Sequence, residues 1–331
     1  MKVCFTGDLA ESLREEARGI LANAAGDSAR EAELLVLGSD GSFDGDARGL
    51  EVLYFSLSAT NHPAAMKVLL GLFDSPSLRW VQGPGAGIDH PIWQGLIDRG
   101  VRLTNASGIH SEPIAQYIFA YVLHWERNVR QHQEQQARRE WKTIHSEDLA
   151  QKTLGIVGYG GIGQAAARIA RAFGMRVLAT RRTPVEDDVL DRFVPLADLH
   201  ELLAESDYVV LCMPFNDDTR EMLGAAEFAA MGASSVLINV ARGGVVNESD
   251  LIEALSARMI RGATLDVVSE EPLPESSPLW GLDNCMITPH DAGYSPLGDT
   301  RLGALFLENL RRYIAGGTLI NEISTTGFGD R

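Results

Sequence analysis

The stretch Thr153-Leu-Gly-Ile-Val-Gly-Tyr-Gly-Gly-Ile-Gly-Gln164 decides the fold of the second half of this chain. An apolar run leads into the spacing Gly158-x-Gly160-x-x-Gly163, and a helical pattern follows from Gln164 to Phe173. The first glycine permits a tight turn, the second lets the backbone approach a pyrophosphate, and the third allows close packing of helix on strand. The helix N-terminus then favours phosphate. A plain strand-to-helix turn is the alternative, but the next strand pattern, Met175 to Ala179, also fits, and we predict dinucleotide binding.

The residues after Ala179 bear on the choice between NAD and NADP. An acidic residue about 20 positions beyond the first glycines would hydrogen-bond the ribose 2′-OH of NAD. This sequence has Thr180-Arg181-Arg182 there, and no acid occurs before Glu186. Two guanidinium groups pair well with a 2′-phosphate dianion. We predict that NADP is preferred; if the arginines are only solvated loop residues, the cofactor is NAD.

Short apolar runs alternate with longer amphipathic stretches along the rest of the chain, which predicts parallel sheets covered by helices. The main patterns are strands at Lys2 to Thr6, Leu34 to Gly38, Val52 to Leu57, Leu78 to Gln82 and Cys285 to Thr288, and helices at Leu9 to Ala24, from Glu112 onward, and at Pro296 to Ala315. A chain of 331 residues has ample material for two packed cores.

The overall charge excludes several classes of partner. The formal net charge is −16, from 45 acidic and 29 basic residues, and most of the surface would repel phosphate backbones and anionic lipids. We therefore expect no nucleic acid and no membrane partner. The N-terminal apolar run is too short for a signal peptide, and no run approaches the ~20 residues of a membrane span. A cytoplasmic protein is expected.

The cysteines and one long polar stretch complete this survey. Cys4, Cys212 and Cys285 each lie in an apolar run and are expected to be reduced packing residues, with no metal site. Residues 124–142 are polar and strongly charged. A stretch of this kind crosses solvent or packs on a partner, and we interpret it as a connector or an oligomerisation arm.

Three chemically useful side chains follow three successive strand patterns, at the sheet edge where ligands bind. Arg242 comes after the run Val236 to Val240, and its guanidinium can pair with a carboxylate and polarise a neighbouring carbonyl. His290 can donate a proton near its unperturbed pKa of ~6.5. Glu271, if it contacts the other ring nitrogen, would favour the imidazolium. Together these residues fit the reduction of a carbonyl group in a substrate that also carries a carboxylate. Taken singly, each of them is as easily an ordinary loop residue.

Four ordered motifs together resemble the D-isomer-specific 2-hydroxyacid dehydrogenases, over nearly the full chain. They are the Gly158 to Gly163 turn, Asn239-Val-Ala-Arg242-Gly-Gly, Leu265-Asp266-Val with Glu271-Pro272-Leu, and Thr288-Pro-His290. The resemblance implies that Arg242 binds the substrate carboxylate and carbonyl, that His290 is the acid/base and that Glu271 supports it. The resemblance places Asp266 at the nicotinamide carboxamide. The residues predicted to bind the cofactor are Gly158, Tyr159, Gly160, Gly161, Ile162, Gly163, Thr180, Arg181, Arg182, Met213, Pro214, Val240, Ala241 and Asp266.

The resemblance also implies an α/β fold of two Rossmann-like, doubly wound domains. A nucleotide-binding domain, 105–294, would be inserted into a discontinuous flavodoxin-like substrate domain, 1–104 and 295–331, with the cleft between them. In the substrate loop Gly85 to Asp89, backbone N–H groups of Ala86 and Gly87 would hold the carboxylate, while Trp141 and Tyr294 are candidates for the substrate pocket. The 124–142 arm would form a homodimer.

The sequence departs from the family pattern at Gln116, where many members carry Glu, and at Asp291, where a small or apolar residue is usual. Glu271 favours keto-acid reduction, since formate-oxidising relatives carry Gln. The expected reaction is reduction of glyoxylate, hydroxypyruvate or a bulkier 2-keto acid with NADPH. Two alternatives stay open, an NAD-dependent phosphoglycerate dehydrogenase-like enzyme and a corepressor-like protein that senses nicotinamide nucleotides; the intact catalytic set disfavours the second.

Overall fold

The computed structural model describes residues 1–6, 11–24, 33–56, 58–88 and 90–323. The chain divides into two compact units, one of Met1–Ile109 with Ser295–Arg331 and the other of His110–Tyr294. The predicted positions at Leu9, Ala10, Leu57 and Asp89 lie outside the described residues.

The secondary structure alternates between strands and helices along both units. The first segment holds β1 (Lys2–Thr6), α1 (Glu11–Ala24), β2 (Glu33–Leu37), β3 (Leu50–Tyr54), α2 (Pro63–Phe73), β4 (Trp80–Gln82), α3 (Pro91–Asp98) and β5 (Arg102–Thr104). The second unit holds α4 (Ser111–Glu126), α5 (Val129–Arg138), β6 (Thr153–Val157), α6 (Gly161–Ala172), β7 (Arg176–Thr180), β8 (Arg192–Phe193), α7 (Leu199–Glu205), β9 (Tyr208–Leu211), α8 (Ala225–Ala230), β10 (Val236–Asn239), α9 (Glu248–Ser256), β11 (Gly262–Leu265) and β12 (Cys285–Ile287). The last helix, α10 (Gly298–Ile314), returns to the first unit.

The first unit is built on a five-stranded sheet in the order β2-β1-β3-β4-β5, with each strand pair parallel. This is the flavodoxin-like order of a doubly wound sheet. Helix α10 covers one face through an aromatic contact in which Phe306 stacks on Trp80, with ring centroids 5.1 Å apart. A Cβ added at Gly303 would lie 2.6 Å from Leu13, so α10 approaches α1 closely.

The second unit is built on a seven-stranded sheet in the order β12-β11-β10-β9-β6-β7-β8, and its paired strands are parallel. The central strands β6, β9, β10 and β11 are buried along their whole length, as expected of parallel strands with both faces covered. The order reverses between β6 and β9, and ligands bind in the crevice at such a switch point. The predicted fold class is confirmed.

Two local predictions require adjustment. Helix α6 begins at Gly161, three residues before the predicted start at Gln164, so the glycine-rich turn runs directly into its first turn. The polar stretch 124–142 is less solvated at its start than its composition suggests. Glu126 is buried because it accepts the Tyr208 hydroxyl at 2.7 Å and the Glu147 N–H at 3.2 Å.

The cysteines are free thiols, and burial raises the pKa of each, in Cys4, Cys212 and Cys285, to about 12. Within the described ranges, no group of three or more His, Cys, Asp or Glu side chains could hold a metal ion. Over the same residues, no helix is long and apolar enough to span a membrane.

Candidate active site

The three glycines of the turn after β6 lie in three different settings. Gly158 has φ +103°, and a Cβ there would lie 2.5 Å from the backbone nitrogen of Met213. At Gly163 a Cβ would lie 2.8 Å from the Gly158 carbonyl oxygen, so this glycine permits helix α6 to pack on the turn. At Gly160 a Cβ would meet nothing within 4 Å. Because the protein itself does not require Gly160, that open space fits the close approach of a pyrophosphate to the backbone.

The end of β7 is bonded to this turn. The carbonyl oxygen of Thr180 accepts the N–H groups of Gly158 at 2.9 Å and Tyr159 at 3.2 Å. Arg181 follows at once, and its Nη1 donates to the Tyr159 carbonyl at 3.3 Å. Arg182 is exposed. The structure therefore brings Arg181 beside the glycine-rich turn.

Asp187 is an acidic residue in the same region, and its carboxylate accepts two hydrogen bonds from its own unit. The buried Tyr159 hydroxyl donates to Asp187 Oδ2 at 2.8 Å, and Asp187 Oδ1 accepts the Val189 N–H at 2.9 Å. These two bonds, the backbone one first, lower the pKa of Asp187 and keep it a carboxylate. Sequence reasoning missed this residue because its role is defined by a contact 28 positions away.

Arg242 lies on a turn that the Asn239 side chain holds. The Asn239 amide donates to the Arg242 carbonyl at 3.1 Å and accepts the Ala241 N–H at 3.0 Å, and Arg242 Nη1 donates to the Ala241 carbonyl at 2.7 Å. A Cβ at Gly243 would lie 2.0 Å from the Val268 carbonyl, so the turn packs against the chain that follows β11. The Asn239 side chain and the packing against Val268 therefore hold the backbone of this turn, and the turn does not depend on the Arg242 guanidinium.

Glu271 and His290 are in contact. His290 Nδ1 lies 2.8 Å from Glu271 Oε2, and Glu271 Oε1 accepts the Val268 N–H at 3.2 Å. The side chains are 46% and 38% exposed, so a ligand can reach them. Because β10, β11 and β12 are neighbouring parallel strands, Arg242, Glu271 and His290 follow the same sheet edge.

Asp266, directly after β11, is buried and binds the loop around His290. Its Oδ1 accepts the Thr288 hydroxyl at 2.6 Å and the Asp291 N–H at 3.0 Å, and its Oδ2 accepts the Ala292 N–H at 3.1 Å. Its backbone carbonyl accepts the His290 N–H at 2.9 Å. The carboxylate therefore organises the segment that carries the histidine.

The remaining candidate residues have diverse settings. Met213, Val240 and Ala241 are buried beyond the ends of β9 and β10, with Pro214 exposed beside Met213. Trp141 is fully exposed after α5, and Tyr294 is 66% exposed. Ala86 and Gly87 belong to the first unit, where the Ala86 carbonyl accepts the Asn105 amide at 2.8 Å.

Sequence reasoning assigned no role of their own to several polar residues that support the site, namely Asn239, Thr288, Asp187 and Tyr117, whose hydroxyl lies 2.6 Å from that of Thr288. Asn239 and Thr288 had a usable signal, since each is a polar residue at the end of an apolar strand pattern. Tyr117 had none, because an aromatic residue in an amphipathic helix is typical of core packing.

A doubly wound sheet with a glycine-rich turn at its switch point, and a cation, an acid and a histidine at the same edge, defines a dinucleotide-dependent oxidoreductase. Comparison with known proteins identifies the family. Residues 119–292 match the model of the "D-isomer specific 2-hydroxyacid dehydrogenase, NAD binding domain". A glyoxylate reductase of Korarchaeum cryptofilum is 35% identical over 251 residues, which cover 73% of this chain and 75% of that protein.

Solved structures agree with this match. A D-isomer specific 2-hydroxyacid dehydrogenase family protein from Aeromonas salmonicida superposes with a TM-score of 0.77 at 29% identity, covering 98% of this chain and 99% of that one. A D-isomer specific 2-hydroxyacid dehydrogenase from Xanthobacter autotrophicus, solved with NADPH and MES, gives a TM-score of 0.74 at 28% identity, with coverage of 97% and 98%. This chain belongs to the D-isomer specific 2-hydroxyacid dehydrogenase family, and it is an oxidoreductase with an NAD-binding domain.

Proposed function

We propose that this chain reduces a small 2-keto acid, such as glyoxylate, hydroxypyruvate or a bulkier homologue, to the D-2-hydroxy acid and prefers NADPH to NADH. The observation that carries the proposal is the 2.8 Å contact between His290 Nδ1 and Glu271 Oε2, at the sheet edge that also carries Arg242. When bound, the nicotinamide cofactor supplies the hydride. The chain supplies the remaining requirements, a carboxylate anchor and a proton donor.

Each of the three residues has a distinct task. Arg242 binds the substrate carboxylate and polarises the C2 carbonyl. Glu271, as a carboxylate, can only accept, so His290 donates its Nδ1 proton to it and has Nε2 free for substrate. As hydride adds to C2, the carbonyl oxygen takes the Nε2 proton, which solvent then replaces. The backbone N–H groups of Ala86 and Gly87 are further candidates to hold the carboxylate, and Trp141 and Tyr294 to line the substrate pocket.

We assign cofactor binding to a domain of residues 105–294 and substrate binding to a domain of residues 1–104 with 295–331. The Gly158 to Gly163 turn and the N-terminus of α6 would bind the pyrophosphate. Met213, Pro214, Val240, Ala241 and Asp266 are the residues proposed to contact the rest of the cofactor.

A panel of 2-keto acids, assayed with NADPH and NADH at equal concentration, tests the proposed activity directly. Wild-type enzyme is expected to reduce at least one of them with a higher kcat/KM for NADPH. Oxidation of 3-phosphoglycerate with NAD, without reduction of any of these keto acids, would favour the phosphoglycerate dehydrogenase alternative instead.

The preference for NADP rests on the two arginines that follow Thr180. Arg181 is hydrogen-bonded to the turn at 3.3 Å, and Asp187 is already bonded to Tyr159 and Val189. Among the described residues, those that directly follow β7 include no acidic side chain that could bind the ribose 2′-OH in place of the arginines. The relative from Xanthobacter autotrophicus, solved with NADPH, also supports this choice.

Replacing both arginines, Arg181→Gln with Arg182→Gln, is expected to lower kcat/KM for NADPH by about 20-fold, because one charge-assisted bond to phosphate contributes about 1.5–3 kcal/mol and the exposed Arg182 adds little in water. The value for NADH should stay within about threefold, since NADH lacks the phosphate. Steady-state kinetics with both cofactors measure the ratio. Arg171→Gln, an α6 arginine paired with Asp191 at 2.9 Å, is the matched control and should leave it unchanged. A wild-type preference for NADH would contradict the assignment.

We also propose that the chain forms a homodimer through α5 and the residues after it. None of the ten residues of α5, all within the described ranges, is buried, and Trp141 is fully exposed. A polar helix followed by an exposed tryptophan is typical of a surface that packs on a partner.

The dimer is tested by Trp141→Ser, for which light scattering after size exclusion is expected to detect dissociation at a protein concentration where wild type remains dimeric. Interface tryptophans are frequent hot spots, worth about 2 kcal/mol or more. Leu70→Ser is the control, since Leu70 is 45% exposed and lies in α2 of the first unit. A monomeric wild type, or dissociation by Leu70→Ser alone, would contradict this surface.

A further inference from the structure

We propose that Tyr117 and Thr288 are positioning residues for His290, and that their hydroxyl groups, together with the Asp266 carboxylate, hold the loop 288–292 so that the imidazole faces Glu271. The inference rests on the proposed function, because it takes His290 as the proton donor. Neither residue is expected to touch substrate in this role.

The loop is fixed on both sides of His290 by one buried side chain. Asp266 and Thr288 directly follow the paired strands β11 and β12, whose register aligns Leu265 with Ile287. Asp266 Oδ1 accepts the Thr288 hydroxyl at 2.6 Å, before the histidine, and the Asp291 N–H at 3.0 Å, after it. The Asp266 backbone carbonyl also accepts the His290 N–H at 2.9 Å. Asp266 therefore binds the loop before, at and after the histidine.

The direction of each bond in the chain Tyr117–Thr288–Asp266 follows from elementary chemistry. A carboxylate can only accept, so the Thr288 hydroxyl donates to Asp266. Its lone pairs then accept the Tyr117 hydroxyl, which lies 2.6 Å away. Burial raises the pKa of the Tyr117 phenol well above its usual range, so it keeps the proton that it donates. The chain therefore connects helix α4 to the catalytic loop, and each bond polarises the next.

His290 requires this support because its backbone is strained. Its φ is +56°, in the left-handed region that only a few per cent of non-glycine residues adopt and that costs an L side chain free energy even where, as for His, it is tolerated. Such a conformation persists only where the surroundings enforce it. The imidazole is 46% exposed, so packing contributes little. Relaxation of the loop would turn the ring away from Glu271, and even a small misplacement of an acid lowers kcat.

Thr288→Val removes the hydroxyl and keeps the side-chain shape. It is expected to lower kcat for 2-keto acid reduction by about tenfold, with KM and the NADPH Kd from fluorescence titration within about twofold of wild type. Thr288→Ser restores the hydroxyl and should recover kcat to within about threefold. Tyr117→Phe should lose about threefold, since the bond from Thr288 to Asp266 remains. Because the phenol acts through Thr288, adding Tyr117→Phe to Thr288→Val should cost no further rate.

Thr264→Val is the matched control, since the buried Thr264 hydroxyl in β11 accepts the Trp125 indole N–H at 3.0 Å. It is expected to lower Tm without lowering kcat. Wild-type kcat in Thr288→Val, or an equal loss of kcat in Thr264→Val, would overturn the inference. If Thr288→Val does not fold, Tyr117→Phe is the deciding variant. A wild-type kcat in Tyr117→Phe would then overturn the inference. Failure of the proposed function is distinguishable, because wild type would then reduce none of the 2-keto acids, whereas failure of the acid role alone would leave His290→Asn active.

Discussion

Replacing His290 by asparagine is expected to lower kcat/KM for 2-keto acid reduction by at least about 10²-fold, because the reaction loses its proton donor. Asparagine is the appropriate replacement because His290 has φ +56°, and Asn tolerates the left-handed region. His290→Ala should lose at least as much, but Ala tolerates the left-handed region less well than Asn, so a change in the backbone would be mixed with the loss of the proton donor. Steady-state kinetics at saturating NADPH, with the NADPH Kd measured separately, separate chemistry from cofactor binding.

A second histidine–glutamate pair provides the control. His200 Nε2 lies 3.0 Å from Glu227 Oε1 in the same unit, and His200 is exposed. His200→Asn removes a histidine–glutamate pair that joins α7 to α8 and includes none of the proposed catalytic residues, so kcat/KM should not change. Near-wild-type activity in His290→Asn would refute the acid role.

The charge of Glu271 can be tested separately from its hydrogen bond. Glu271 Oε2 lies 2.8 Å from His290 Nδ1, and Glu271→Gln keeps a polar group there while it removes the negative charge beside the ring. Reduction, which needs protonated histidine, should therefore fall by about tenfold, and oxidation of the 2-hydroxy acid should fall less. An equal loss in both directions would mean that Glu271 only orients the ring.

The fold was predictable because its determinants are local. Gly158 is required by its own φ of +103°, and the buried strands β6 and β10 are mostly apolar in sequence. The two-domain α/β prediction needed no more than these patterns and the family resemblance. The α6 start was misjudged because Gly161 and Ile162 are poor helix indicators, although the turn geometry continues directly into the helix.

The supporting contacts of the site were not predictable, because they join distant positions. Tyr117 and Thr288 are 171 residues apart, and Glu126 is 82 residues from the Tyr208 hydroxyl that it accepts. A buried glutamate in a charged stretch has the same sequence pattern as a solvated one. Its setting follows from the packing of α4 on the sheet, which composition does not encode.

Arg242→Ala is expected to lower kcat/KM by at least about 10²-fold, with KM raised and kcat reduced, because the guanidinium binds the carboxylate and stabilises developing charge on the carbonyl oxygen. The turn should survive, since the Asn239 side chain bonds the backbone at Ala241 and Arg242 at 3.0 and 3.1 Å. Arg242→Lys should recover only part of the loss, because an ammonium cannot form the bidentate pair. Arg176→Ala, an exposed arginine paired with Glu205 at 2.7 Å at the start of β7, is the control.

A neutral substrate separates the two roles of Arg242. Wild-type enzyme should prefer a 2-keto acid to the corresponding 2-keto amide by about 10²-fold or more, because the amide cannot form the charged pair. In Arg242→Ala that preference should fall to within about tenfold, while the rate with the amide falls by the contribution of carbonyl polarisation alone. An unchanged preference in Arg242→Ala would mean that another group anchors the carboxylate, and the backbone N–H groups of Ala86 and Gly87 would then be the next residues to test.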